Sequence, residues 1–514
     1  MTRINTNVPS LIAQQRLNRS GADLQLRLER LSTGLRINRG KDDPAGLIIS
    51  ERIATDIKGV EQAIKNGERA SAVISTTEAS LTEITDLLNS IKSLVVEAAN
   101  TGALSDEERK ANQLQINSAI QSITRISNTA TFGGLKLLDG SLDYLTSGIT
   151  NSTIKKAEIF GASFIGTSSI DVGVDVITSA QKGALYLNGD NVAGADGTIL
   201  STITLRIKGS DGVQQIQFQS GTTFASVVSA INNNSTLTGV EAALINGNAN
   251  SGIVFRATEY GSDSFVSIDR VDSPTSAADD NFNLFKLDGN TAPQATFWSD
   301  PNLITATRDE GRDVSALING VLASGDGLSV SVNSPTLALE LLLDESFAID
   351  PTLTSQTFQI TGGGALFQLG PNVTALQQTN IGIQSTAAET LGGSLVDGTI
   401  QFLASLQDGQ GNSLAEANDR NDFTPLESII SSSIDEVTIL RGRLGAFERN
   451  VLETNTRSLQ SAFENLTASR SVIRDADFAA ESSELTRVQI LQSAGTSVLA
   501  LANQSAQNVL QLLG

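Results

Sequence analysis

The sequence predicts a mixed fold: α-helical coiled-coil terminal domains, with N- and C-terminal segments paired, around a central β-rich (α+β) insert. Three observations predict it. Apolar residues step by four and three along both ends, the spacing of helices that pack on helices. From about 146 to 425 that spacing gives way to Gly, Ser, Thr, Asn and Asp, with Asn-Gly or Asp-Gly hairpin signals at 188, 196, 211, 246, 288, 319, 326, 397 and 408. The last 27 residues, Val488 to Gly514, carry no charge.

That tail is the least ordinary stretch. Leu491, Gly495, Val498, Ala502, Ser505, Val509 and Leu512 form a heptad seam, and the other faces carry Gln and Asn. A helix without charge on any face is not suited to water on all sides. Its Gln and Asn residues interrupt every window of the ~20 apolar residues a membrane span needs. Protein must cover it, and buried charges without partners are costly, which explains their absence.

At the other end, residues 4–36 read as a helix with a seam at Leu17, Gly21, Leu24, Leu28, Leu31 and Leu35. Arg16, Arg19, Arg27 and Arg30 lie off it, and some of them are expected to make contacts between subunits. Asp42-Asp43-Pro44 reads as a cap followed by a first helical residue. The next run holds its seam from Ile53 through Ile57, Val60, Ile64, Gly67, Ser71 and Ile74. It continues from Leu81 to Ala98, with one spacing defect near Leu81. Such length without Pro suggests a coiled-coil rod. Ser105 and Glu108 form a capping-box pattern opening a helix to about Ala130.

In the insert, Ile203 to Ile207 and Ile216 to Phe218 alternate as strands, and Phe224 to Asn233 reads as a short helix. Val240–Ile245, Ile253–Tyr260 and Phe265–Val271 read as further strands. A similar order is expected from Val314 to Leu343, with a short helix before Asn319-Gly320. Two subdomains, about 146–290 and 291–425, are possible. Helical spacing returns at Ile430, Ile434, Val437, Leu440, Leu444, Phe447 and Val451, extends to Leu466, and breaks at Asp475 and Asp477.

Composition narrows the function. Cysteine and histidine are absent, which removes disulfides, thiolate metal sites and the commonest general base. Residues 151–420 hold 28 acidic and 11 basic side chains of a chain whose net charge is -21, so the acidity sits in the insert, as on a solvated outer surface. Nucleic-acid binding is disfavoured. The N-terminus is not a secretory signal. Gly362-Gly363-Gly364 reads as a turn, not a phosphate loop. Asp408, Gln410, Asn412 and Asp419 echo a calcium loop but have Ser413 in place of its glycine and no Glu at the twelfth position. No catalytic, cofactor or metal residues are assigned. Trp298 reads as partly buried.

Both ends resemble bacterial flagellin. The likeness runs through INTNVPSLIAQQRLNRS, LERLSTGLRINRGKDDPAGLIISERI and TATFGGLKLLDG, and then IRDADFAAESSELTRVQILQSAGTSVLALANQSAQNVLQLL. Leu205 to Asp269 resembles the insert motif of some flagellins and filament-cap proteins. The resemblance implies a non-enzymatic structural subunit of the flagellar filament. Residues 1–44 and 473–514 would form its inner core, 45–145 and 426–472 a rod layer, and 146–425 a variable outer surface. The self-assembly residues would be Leu17, Leu24, Leu28, Leu31, Leu35, Leu491, Val498, Ala502, Val509 and Leu512. Implied partners are other copies, the flagellar type III export apparatus, a chaperone on the C-terminal helix, and cap and hook-junction proteins. Its place would be extracellular, with no membrane insertion. A hook–filament junction protein, which has similar ends, and an adhesin carried on the insert are the alternatives. Some flagellins are seen by a Toll-like innate receptor through an Arg, a Leu and a Glu. The matching positions here are Ser90, Leu94 and Gln115, and only the Leu is kept. The zinc-protease insert of some flagellins is excluded by the absence of histidine.

Overall fold

The computed structural model describes residues 6–511 except 165–166, 189–192, 195–196, 273–281, 288–297, 299–302, 335, 351–354 and 397; of 193–194 and 506–511 only the backbone is described. The chain forms two compact units. One takes the chain up to Ser75, Phe367–Gln378, and the chain from Gly442 on; the other takes Thr76–Leu366 and Thr379–Arg441.

The helices are α1 (Val8–Thr33), α2 (Pro44–Ala98), α3 (Asp106–Thr129), α4 (Phe224–Asn232), α5 (Leu414–Arg420), α6 (Thr424–Phe447), α7 (Glu453–Arg474) and α8 (Phe478–Gln511), besides shorter turns. Their ends follow local chemistry. Asn7 accepts from the Ser10 amide, and Gly34 closes α1 in the left-handed conformation, φ 71°. Asp43 accepts from the Gly46 amide at 2.9 Å, so the cap expected before Pro44 is present. The capping box of α3 is complete, with Ser105 and Glu108 bonding each other's backbone. A second one, Ser413 with Glu416, starts α5 inside the stretch that echoed a calcium loop.

The seam of α2 is more regular than the sequence suggests. Buried positions run Val60, Ala63, Gly67, Ala70, Ile74, Thr77, Leu81, Ile84, Leu88, Ile91, Val95 and Ala98, steps of three and four without a break. Ala63 and Ala70 are buried where Ile64 and Ser71 were expected. The defect near Leu81 is Thr77, a polar residue that is fully buried. Each buried Leu or Ile of this row contributes about 1.5–3 kcal/mol relative to exposure.

The C-terminal seam also needs correction. In α6 the buried row is Leu426, Ile430, Ser433, Val437, Leu440 and Leu444, and the next buried residue is Leu452. Ile434, Phe447 and Val451 are only half-buried. A π-helical turn, Glu448–Leu452, lies between α6 and α7 and adds a residue to the repeat. Such turns shift every later side chain around the helix.

The described strand pairings are antiparallel. In chain-neighbour order, one sheet runs 321–322, 315–318, 170–178, 356–363, 144–147, and a second runs 324–326, 329–333, 337–343, 154–162. They share an apolar core from Tyr144 to Ala180 and Val314 to Ile360. Two others, 213–218, 203–208, 265–270, 308–310 and 240–244, 253–257, 184–187, 284–287, 303–305, flank α4 and a core from Leu185 to Leu284. The second core is therefore nested within the first, and neither follows a cut near 290. The helix expected before Asn319 is a strand, Ser315–Ile318, because Val314, Ala316 and Ile318 alternate inward. Asn319 and Gly320, at φ 50° and 79°, make the two-residue hairpin turn. The triple glycine, expected as a turn, instead ends a strand: Gly362 and Gly363 pair with Leu145 and Tyr144 across a register irregularity, and only Gly364 is a bend, all three at positive φ. Trp298 is half-buried, donating to the Ser251 carbonyl at 3.2 Å.

Candidate self-assembly surface

The terminal helices α1 and α8 pack on each other, antiparallel. Asn7 Nδ2 donates to the Ala502 carbonyl at 3.1 Å, and Ser10 Oγ donates to Asn503 at 2.7 Å. Midway, a Cβ on Gly495 would stand 3.3 Å from Leu17 Cδ1, so a glycine at this seam position lets the helices close. At the far end Leu35 bridges Asp475, and the Arg36 amide donates to the Arg474 carbonyl at 2.7 Å. The Ala476 amide donates to Gly34, so the corner after α1 and the corner before α8 form one short ladder.

Between these points lies an ion triad that the sequence did not disclose. Glu481 binds Arg27 at 2.7 Å and Arg30 at 2.9 Å, with only 9% of its own side chain exposed. Burial works against the charged carboxylate, but the two guanidinium groups bonded to it prevail and hold Glu481 below the ordinary range. Arg27 is raised in turn, chiefly by its hydrogen bond to Glu481. Two of the arginines expected to reach other subunits are thus engaged within the chain. The spacing of Arg27 and Arg30, three apart on one helix face, was the available signal.

This pairing divides the expected seam residues. Leu17, Leu24, Leu31, Leu35 and Ala502 are half-buried. Leu28, Leu491 and Val498 are exposed, at 48%, 49% and 55%. Ile490 and Leu501 join them at 64% and 66%, making an apolar stripe along α8 that nothing in the chain covers among the described residues. The side of α8 turned to α1 carries Val488, Gln492, Gly495, Leu499 and Ala502. Val509 and Leu512 lie outside the residues whose side chains are described. Ser90 and Gln115 are exposed and Leu94 is half-buried.

Paired terminal helices with an uncovered apolar stripe, and a β-rich insert between them in the sequence, define a helical-ended subunit with an inserted β-rich region. Comparison with known proteins gives the family. The chain matches the bacterial flagellin N-terminal helical region over residues 4–143, the bacterial flagellin C-terminal helical region over 428–513, and the flagellin hook IN motif over 204–259. It is 30% identical to a flagellin of Salmonella choleraesuis over 99% of both chains. It is also 30% identical to the B-type flagellin of Pseudomonas aeruginosa, again over 99% of both. A solved structure of the flagellar cap protein FliD D2-D3 domains from Escherichia coli shows only a slight likeness: 17% identity, covering 42% of this chain and 96% of that one, TM-score 0.25. The chain belongs to the bacterial flagellins. It is a structural subunit of the flagellar filament, which is extracellular. Among the described residues no helix is long and apolar enough to cross a membrane.

Proposed function

We propose that the filament is built by its terminal helices in two roles. Leu17, Leu24, Leu31, Leu35 and Ala502 hold a chain's own α1 and α8 together. Leu28, Leu491 and Val498 pack against neighbouring copies, and Val509 and Leu512 continue the seam. The observation that carries this reading is the uncovered stripe Ile490, Leu491, Val498 and Leu501 on a tail with no charge after Arg487. Apolar area of this kind is stabilising only once removed from water. Head-to-tail contacts that do not close give a helical polymer. In it, residues 1–44 and 473–514 form the inner core, 45–145 and 426–472 the rod layer, and 146–425 the outer surface.

The subunit performs no catalysis. It leaves the cell by the flagellar type III export apparatus, with a chaperone covering the C-terminal helix until export. It meets the hook-junction and cap proteins at the growing filament. Ser90 and Gln115 stand in place of the Arg and Glu of receptor-activating flagellins, which argues against strong activation of the innate receptor.

A chain cut after Arg487 tests the assembly reading. It is expected to stay monomeric under conditions in which the full chain elongates filament seeds, as seen by electron microscopy. Normal filaments from the cut chain would overturn it.

A further inference from the structure

The two β cores belong to one compact unit and are joined by more than the chain that links them. The chain crosses between them twice, outward through 179–183 and back through 311–314. The crossings are bonded to each other. The Gln181 amide donates to the Arg312 carbonyl at 2.9 Å, and the Arg312 amide donates to the Gln181 carbonyl at 2.8 Å. Arg312 Nε also donates to the Ser179 carbonyl at 3.1 Å. A two-stranded link is marginal on its own, and motion between domains is the default when little else joins them. Two adjacent crossings leave the second core free to swing about their line.

A third attachment removes that freedom, and it is not covalent. The loop 258–264 connects two strands of the second core, 253–257 and 265–270, yet it reaches back to the first. Tyr260 packs against the first core, and its Oη donates to Glu345 Oε1 of the short helix Glu345–Ala348 at 2.6 Å. Asp313, on the returning crossing, ties the same loop to a hairpin of the first core. It accepts from the Ser262 amide at 3.0 Å, from Ser262 Oγ at 2.6 Å and from the Gly327 amide at 2.8 Å. Among the described residues no cation pairs with Asp313. Burial works against its charge, but the bonds from Ser262 and Gly327 prevail and hold its pKa below the ordinary 3.8.

The loop comes this close because glycine stands where backbones meet. A Cβ on Gly261, whose φ is 110°, would stand 2.9 Å from Gly327 Cα. One on Gly311 would collide with the Gly261 carbonyl oxygen, and one on Gly325 with that of Val314. Only glycine leaves room for such contacts. We propose that the loop 258–264 is a strap, with Asp313 as its anchor, that locks the second core to the first so that the β-rich insert moves as one body. The lock needs both cores complete, since Tyr260 and Ser262 belong to the second and Glu345 and Gly327 to the first. Each copy in a filament then presents its second core in one fixed pose.

The test measures distances in the full-length monomer. Because the chain has no cysteine, nitroxide labels attach only where thiols are placed. Q219C, an exposed position beside the strand 213–218 of the second core, is paired with L322C, exposed on the first core. The reference pair is L145C/L322C, on the two edge strands of a single sheet. Pulsed electron paramagnetic resonance is expected to give Q219C/L322C a distance distribution as narrow as the reference. Adding D313A/Y260F is expected to broaden Q219C/L322C about twofold or more, as the ordinary freedom between domains returns, and to leave L145C/L322C unchanged. A broad Q219C/L322C distribution without D313A/Y260F would overturn the lock whatever that variant does. So would an unbroadened one with it, or a reference pair that broadens alongside, which would place the effect in the first core and not in the joint.

Discussion

Two carboxylates show how one residue type takes opposite roles. Glu481 sits between Arg27 and Arg30 and is held below its ordinary pKa of 4.5. A depressed carboxylate contributes stability above its unfolded pKa, and that stability is lost as pH falls through the folded value. E481Q is expected to cost the α1–α8 pairing about 1.5–3 kcal/mol at neutral pH. Thermal unfolding followed by circular dichroism checks it, and the wild type is expected to lose its advantage only in acid, below the ordinary Glu range. Glu340 is the reverse. It stands directly opposite Glu158 on the neighbouring strand, and burial first, then the Glu158 charge, push its pKa up. A raised carboxylate destabilises the fold above its unfolded pKa, and stability returns as pH falls through the folded value. E340Q is therefore expected to raise the melting temperature at neutral pH, with the gain shrinking as pH is lowered. Neither role is legible in the sequence, because each depends on a partner far away in the chain.

At the scale of elements, the heptad rows of α1, α2, α6 and α8 were legible because apolar periodicity is a local property. Their phase was less so. The row of α6 and α7 expected through Phe447 and Val451 passes instead from Leu444 to Leu452 across the π turn. Deleting one exposed residue of that turn, Asn450, is expected to restore α-helical phase and rotate α7 by about 100° relative to α6. The bond from Ser71 Oγ to Glu448 and the α7 bond from Asn455 to Leu369 could not both survive. A lower melting temperature and faster proteolysis after Arg449 are expected; an unchanged melt would show the turn to be incidental. Ser315–Ile318 is a strand where the sequence predicts a short helix, because four residues are too few to separate the two periods.

For the whole molecule, the order of helices, insert and helices was legible from texture alone, and so was the expectation that the ends pair. The two β cores were not. The chain leaves the first core at Ala180, completes the second, and returns at Val314. Turn signals mark hairpins but say nothing about which hairpins share a core. The stability of the assembled state also belongs to this scale: α1 and α8 together bury few residues in the single chain, Ala13, Glu481 and Val488 among those described. Isolated subunits are accordingly expected to show fast amide exchange along both terminal helices and strong protection once in filaments, measured by hydrogen exchange before and after seeding.

By itself the sequence determined the helical ends, the β-rich insert, the charge-free tail and the likeness to flagellin, since each rests on spacing or residue type along a local stretch. Only the tertiary structure decided which side of the tail faces inward. Leu491, Gly495, Val498 and Ala502 make one stripe, and Gln492, Gly495, Leu499 and Ala502 make another that shares two of its members. An uncharged helix has apolar groups on nearly every side, so periodicity cannot choose between them. The choice is made by α1, through Leu17 against Gly495 and two arginines against Glu481, and it leaves Leu491 and Val498 facing out.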